Sequence, residues 1–108
     1  MIYEFRTYTV LAGHMPALLK RFETKAIPIW ERHGVRQVGF FTTMIGPESR
    51  KLTYILQYDS LADREAKWAA FQRDADWIAA RAESEQDGQI VENMANEILT
   101  PTSFSALK

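Results

Sequence analysis

Apolar positions along this chain follow two rhythms. From Ile2 to Val10, Glu4, Arg6 and Tyr8 alternate with Tyr3, Phe5 and Thr7 in a stretch rich in β-formers, which predicts a first strand. After Gly13 the spacing changes. Met15, Leu18, Leu19, Phe22, Ala26, Ile29, Trp30 and His33 recur three and four residues apart, predicting an amphipathic helix with Lys20, Arg21, Glu23, Glu31 and Arg32 on its wet side. Pro16 suits a first turn, whereas Pro28 falls inside the pattern and predicts a kink or loosened last turns. Gly34 predicts a left-handed cap.

Gln37 to Ser60 reads as two strands joined by a short turn around Gly46 and Pro47, hence an antiparallel hairpin. Ser60, with Asp63 in capping-box position, predicts the start of a second helix whose stripe is Leu61, Glu65, Trp68, Ala69, Phe71 and Gln72. Asp74-Ala75-Asp76 offers a fresh N-cap, so a bend or break precedes a segment through Trp77, Ile78 and Arg81. Gln89 to Leu99 predicts a fourth strand stopped by Pro101. Beyond it lies a tail that docks through Phe104 and Leu107 or frays.

The order β-α-β-β-α-β is the α+β, ferredoxin-like arrangement, a four-stranded antiparallel sheet with helices on one face. Two helices cover one face only. The hairpin is apolar on both: Val38, Phe40, Thr42 and Met44 alternate with Gly39, Phe41, Thr43 and Ile45, and Leu52, Tyr54, Leu56 and Tyr58 with Thr53, Ile55 and Gln57. The expected solution is a homodimer or higher homo-oligomer, sheet packed on sheet as a dimeric α+β barrel.

Composition narrows the partners. A chain of 108 residues suits a single domain spanning residues 1–108. Thirteen basic against fourteen acidic residues leave no footprint for nucleic acid. The absence of cysteine excludes disulfides, thiolate nucleophiles and cysteine metal sites. The N-terminal stretch is unlike a signal peptide and no apolar run is long enough for a membrane helix, so a cytoplasmic protein is expected.

A barrel between two sheets is concave and apolar, a suitable place for a ligand. Glu4, Arg6 and Tyr8 share one face of the first strand and are its polar candidates, Arg6 holding a carboxylate or enolate oxygen with Glu4 or Glu97 as its partner when empty. The alternative is a structural Arg6–Glu4 pair at the rim. Tyr54 and Tyr58 share a strand face and either present hydroxyls to the cavity or pack across strands. His33 either complements the helix end or serves as a proton acceptor. A lone histidine also ligates haem in some barrels, but neither His33 nor His14 has a second ligand at metal spacing, and no metal or cofactor is expected. Trp30, Trp68 and Trp77 lie on apolar helix faces, where core packing outweighs stacking on a cofactor. Asn93 and Asn96 fall on opposite faces of the last strand, so at most one lines a cavity.

Glu4-Phe5-Arg6-Thr7-Tyr8, Val38-Gly39-Phe40-Phe41-Thr42-Thr43 with Ile45-Gly46, Tyr58-Asp59-Ser60-Leu61-Ala62-Asp63-Arg64, Ala69-Ala70-Phe71 leading to Asp74-Ala75-Asp76-Trp77, and Ile98-Leu99-Thr100-Pro101-Thr102-Ser103-Phe104-Ser105 together resemble the NIPSNAP family. The resemblance spans nearly the whole chain in order. It implies a dimeric α+β barrel, a fold shared with cofactor-independent monooxygenases, haem-handling proteins and stress-response domains. Where the family's third strand reads His-Leu-Trp this chain has Tyr54-Ile55-Leu56, where its loop carries Leu-Asn-Gln this chain has Glu48-Ser49-Arg50, and Ala75 replaces a common proline. If that histidine serves a family ligand, Tyr54 implies a different ligand or a lost activity.

Two functions are expected on these grounds. In the first, the barrel binds a small hydrophobic or aromatic ligand, as a binding protein or a cofactor-independent oxygenase- or isomerase-type enzyme, with Arg6, Tyr54 or Tyr58 orienting it and His33 or Glu97 in reserve as bases. In the second, the chain is a non-catalytic oligomerisation or protein-interaction module with a filled, dry interior, held together through residues such as Phe41 and Leu56.

Overall fold

The computed structural model describes all of residues 1–108. Its elements are β1 (Ile2–Val10), α1 (Met15–Arg21), a π-helical turn (Phe22–Ala26), α2 (Ile27–His33), β2 (Arg36–Thr42), β3 (Lys51–Tyr58), α3 (Leu61–Arg73), α4 (Ala75–Ser84) and β4 (Val91–Leu99). The strands form one antiparallel sheet in the order β2-β3-β1-β4, the ferredoxin-like arrangement read from the sequence.

From Met15 to His33 the backbone is one helical run whose middle turn is widened. The Ile27 N–H bonds to the carbonyl of Phe22, five residues back. Pro28 supplies the reason, since it has no N–H for the Thr24 carbonyl and its ring would press against that carbonyl in a regular α-turn. Thr24 adds to the disturbance by donating its hydroxyl to the Lys20 carbonyl at 2.7 Å. An extra residue in the turn passes the proline without breaking the helix. Gly34 then ends the run in the left-handed region, φ 76°.

The other caps also form. Ser60 Oγ accepts the Asp63 N–H at 3.1 Å, and the Asp63 carboxylate accepts the Asp59 N–H at 2.9 Å. Asp74 caps α4 through the N–H groups of Asp76 and Trp77, at 2.8 and 3.3 Å.

Leu52, Tyr54, Leu56 and Tyr58 of β3 lie fully buried beneath the helices, against Leu18, Phe22 and Trp30 from the first run and Phe71 from α3. Leu56 is therefore core, not part of a seam between subunits. The alternation expected along β2 fails at Val38, where a bulge puts Gln37 opposite Leu56 but Gly39 opposite Ile55. Phe40 joins the covered face with Tyr54, while Phe41 pairs with Thr53 on the open one. The strand ends at Thr42, so Met44 and Ile45 project from the turn, 96% and 92% exposed.

Two helix stripes differ from their predicted phase. On α3, Leu61, Glu65 and Gln72 are exposed and the packed stripe is Arg64, Lys67, Trp68 and Phe71. Arg21, expected on the wet side, is buried. Phe104 in the tail is 87% exposed, so it does not dock on the rest of the chain. No helix is long and apolar enough to cross a membrane.

Candidate functional site

Along β1, burial of Val10 fixes the parity, and Glu4, Arg6 and Tyr8 consequently turn under the helices. Register places Tyr54 of β3 and Asn96 of β4 on either side of Arg6. From above, α3 lowers Arg64 and Trp68, one turn apart, onto this row.

The fully buried Glu4 carboxylate accepts hydrogen bonds from Arg6 Nη1, from Nε and Nη2 of Arg64, and from Asn96 Nδ2, each at 2.9 Å. Arg6 Nε donates to the Tyr54 hydroxyl at 2.6 Å and Nη2 to Tyr8 at 3.3 Å, and the Tyr54 hydroxyl donates to that of Tyr8 at 3.0 Å. The Arg6 guanidinium stands 4.5 Å above the Trp68 ring centre, a cation–π distance. This is a buried network, not an ion pair at a rim. Burial alone would raise the Glu4 carboxyl, but the hydrogen bonds from Arg64 and Asn96 and the charge of Arg6 outweigh it and hold it below its ordinary value. Burial opposes the charge on Arg6, yet Tyr54, Tyr8 and Glu4 keep it protonated. Burial raises the Tyr54 phenol well above its ordinary value, with Tyr8 adding to the rise, so it is a donor and not a base.

Beside the network opens a cavity of about 610 Å³ bounded by the sheet, the first helical run, α3 and α4. Arg6, Tyr8, Arg64 and Asn96 reach its wall, and Trp68, Phe71 and Trp77 give it an aromatic lining. On the α1 and α4 side stand Arg21, Arg81 and Glu85. Glu85 is the one carboxylate of the wall, and no histidine reaches it. The arrangement suits holding and polarising an oxygen atom more than removing a proton.

The expected site residues divide. Glu4, Arg6, Tyr8 and Tyr54 come together, but inside one subunit beneath its helices, which corrects the expectation of a site between two sheets. Tyr58 is buried nearby with its hydroxyl unpartnered and takes no part in the wall; burial, and then the charge of Glu4, push its phenol up. Glu97 pairs in register with Phe5, an odd position of β1, and so faces away from Arg6. His33 lies outside the cavity at the end of α2, its Nε2 2.7 Å from Asp74, where it and Arg32 tie α2 to the cap of α4. His33 first, and then Arg32, hold the Asp74 carboxyl well below the aspartate range.

Arg64 and Arg21 escape a sequence reading that assigns long cations to solvent. For Arg64 a signal exists: it stands four residues before Trp68, so it shares that residue's face. Arg21 falls beside Leu18 and Phe22 on the helical wheel, and its burial follows from the cavity it borders.

The NIPSNAP family model matches residues 3–106. Atu4242 from Agrobacterium tumefaciens, described as a NIPSNAP family protein with unknown function, is 34% identical over 100% of both chains, with a TM-score of 0.87. A second NIPSNAP family protein from that organism, Atu5224, is 32% identical over 99% of this chain and 98% of its own, TM-score 0.87. A putative antibiotic biosynthesis monooxygenase from Nitrosomonas europaea shares the fold alone, at 13% identity over 94% of this chain and 98% of its own, with a TM-score of 0.64. No curated protein matches. With the family pattern extending over almost every residue and two relatives above 30% identity along their full lengths, this chain belongs to the NIPSNAP family.

Proposed function

We propose that this protein binds a small aromatic or otherwise hydrophobic molecule beneath its helices, with an oxygen of the ligand against Arg6 and Tyr8 and its apolar body against Trp68 and Phe71. The observation that carries this reading is a buried guanidinium, stacked on a tryptophan, at the wall of a cavity of about 610 Å³. That volume lies within the range of small-molecule sites, roughly 300–1,000 Å³. Glu4, Tyr54 and Trp68 hold Arg6 in one orientation before any ligand arrives, so little freedom is lost on binding.

An oxygenase- or isomerase-type reaction without a cofactor is the catalytic form of the same reading. Arg6 would stabilise an enolate or phenolate oxygen. With Tyr54 held protonated and Glu85 the one carboxylate of the wall, the substrate enters already ionised or gives its proton to Glu85.

The working unit is a homodimer or higher homo-oligomer paired sheet to sheet. In support, the face opposite the helices carries Phe5, Phe41, Ile55 and Leu99, none of them fully buried in one subunit. A chain without cysteine also suits the reducing cytoplasm.

Native mass spectrometry of the purified protein, with and without 2-naphthol and menadione, tests both parts. The expected result is a dimer or larger assembly that retains a small molecule, loses it in Arg6→Ala, and dissociates in Phe41→Arg. A monomer at micromolar concentration refutes the assembly, and a wild type that retains no small molecule and takes up neither probe refutes the ligand.

A further inference from the structure

The cavity's second polar end lies around Arg21, away from the Glu4 network. This guanidinium is only 7% exposed, yet it is poorly satisfied. Its Nε is buried without a hydrogen-bond partner, and its hydrogen bonds run from Nη1 alone, to Ser84 Oγ at 3.3 Å and Glu85 Oε1 at 3.2 Å. Charge-assisted pairs close to about 2.7–2.9 Å when well made. The 2.9 Å contacts around Glu4 reach that range and those of Arg21 do not. Glu85 is itself 34% exposed and shared with Arg81 at 3.7 Å, so it is a loose partner. The Trp77 ring centre lies 5.6 Å from the guanidinium carbon, a cation–π distance, and no hydrogen bond engages the Nε edge of Arg21.

The charge count has the same sign. Four guanidiniums reach the cavity wall, from Arg6, Arg21, Arg64 and Arg81, against Glu85 in the wall and Glu4 behind it. Arg81 is mostly exposed and Arg64 partly so; of the two buried guanidiniums, Arg6 is matched by Glu4, whereas Arg21 keeps an unmet donor beside a partly exposed carboxylate, a poor empty state and a good receptor for an anion.

We infer that the ligand of this cavity is an aromatic carboxylate, its carboxylate bound by Arg21 in place of Glu85 and its ring lying along Trp77, Phe71 and Trp68. This rests on the ligand-binding reading above and adds the chemical class. A second oxygen on the far side of the ring, a hydroxyl or carbonyl, reaches Arg6 and Tyr8, so the class narrows to hydroxylated or keto-bearing aromatic acids. Neutral aromatics fill the same space without using Arg21.

The test is titration calorimetry, with quenching of tryptophan fluorescence as a second readout, using 6-hydroxy-2-naphthoate, its 3-hydroxy isomer and the neutral 2-naphthol. At least one acid is expected to bind wild type about tenfold or more tightly than 2-naphthol, the scale of one charge-assisted hydrogen bond. Arg21→Gln is expected to abolish that advantage while changing 2-naphthol binding by less than about twofold, and Arg21→Lys to keep part of it. If 2-naphthol binds and neither acid binds more tightly, the carboxylate assignment is wrong while the ligand site stands. If Arg21→Gln leaves the preference intact, Arg21 is not the anchor and the inference fails. If nothing binds wild type, both readings fall. Comparing the three probes on wild type alone decides the carboxylate preference even if the glutamine variant does not fold, and Arg21→Lys, which keeps the charge and most of the side chain, then decides the anchor by lowering that preference or leaving it intact.

Discussion

Replacing Glu4 by Gln keeps the shape of the side chain but removes the charge on which two arginines converge. Arg64 is partly exposed and can turn to water; Arg6, 5% exposed and enclosed by Tyr54, Tyr8 and Trp68, cannot. The variant also presents an amide NH₂ where the carboxylate accepted four hydrogen bonds. Stranding a buried charge in this way costs about 3–5 kcal/mol. Set against a typical total of roughly 5–15 kcal/mol, that is a large share of the stability. For a domain of this size it corresponds to a fall in Tm of roughly 13–22 °C. Urea unfolding followed by tryptophan fluorescence, at one fixed protein concentration so that any self-association is held constant, measures it. Adding Arg6→Met should recover at least about 1 kcal/mol, since removing both charges ends the penalty of leaving one. The pH dependence has a definite sign. Glu4 titrates lower in the folded protein than in the unfolded chain, so its contribution is complete above about pH 4.3 and is lost as pH falls through the folded value. The gap between wild type and Glu4→Gln should therefore narrow only in acid. A loss below about 1 kcal/mol, the range of an exposed ion pair, or a double variant no more stable than the single one, refutes the claim that Arg6 is held by Glu4.

Tyr54→Phe leaves the buried Arg6 Nε without its acceptor at 2.6 Å and should cost about 1–3 kcal/mol in the same assay. Gly34→Ala places a side chain at φ 76° and should cost about 1–2 kcal/mol, the Lys67 chain 3.4 Å away yielding easily. Asp74→Ala removes the cap of α4 and the tie to His33 and Arg32. Because that carboxyl is held below its unfolded value, the variant should melt below wild type above about pH 4 and converge with it in stronger acid, as Tm against pH will report.

Periodicity and caps are enough to place the four strands, the Gly34 and Ser60 boundaries and the break at Asp74, because each is set by local backbone chemistry. The parity of Glu4, Arg6 and Tyr8 is equally legible. The cover above that face is not. The sequence makes the open sheet face and the helix-covered face look alike in the hairpin, and the bulge at Val38, which separates Phe40 from Phe41, leaves no local signal. Arg64 and Arg21 elude the usual hydrophobic count because it assigns arginine to solvent, whereas here two carboxylates and an aromatic-lined cavity draw both inward. Glu97 and His33 qualify by their chemistry, but the register of β4 and the cap at Asp74 take them elsewhere.

The widened turn at Phe22–Ala26 stores one residue more than an unbroken helix would use. Each residue of an α-helix turns the chain by about 100°, so that surplus sets the angular offset between α1 on one side and α2 on the other. Arg21 lies just before the turn and Trp30 after it, and both reach the cavity. Replacing Pro28 by alanine while keeping the surplus residue would leave a helix free to regularise. One end of that helix would then rotate away from the cavity while its core residues searched for new partners. The proline is thus a phase setting, and the spacing between Arg21 and Trp30 is heritable information about the site even though neither residue lies in the turn itself.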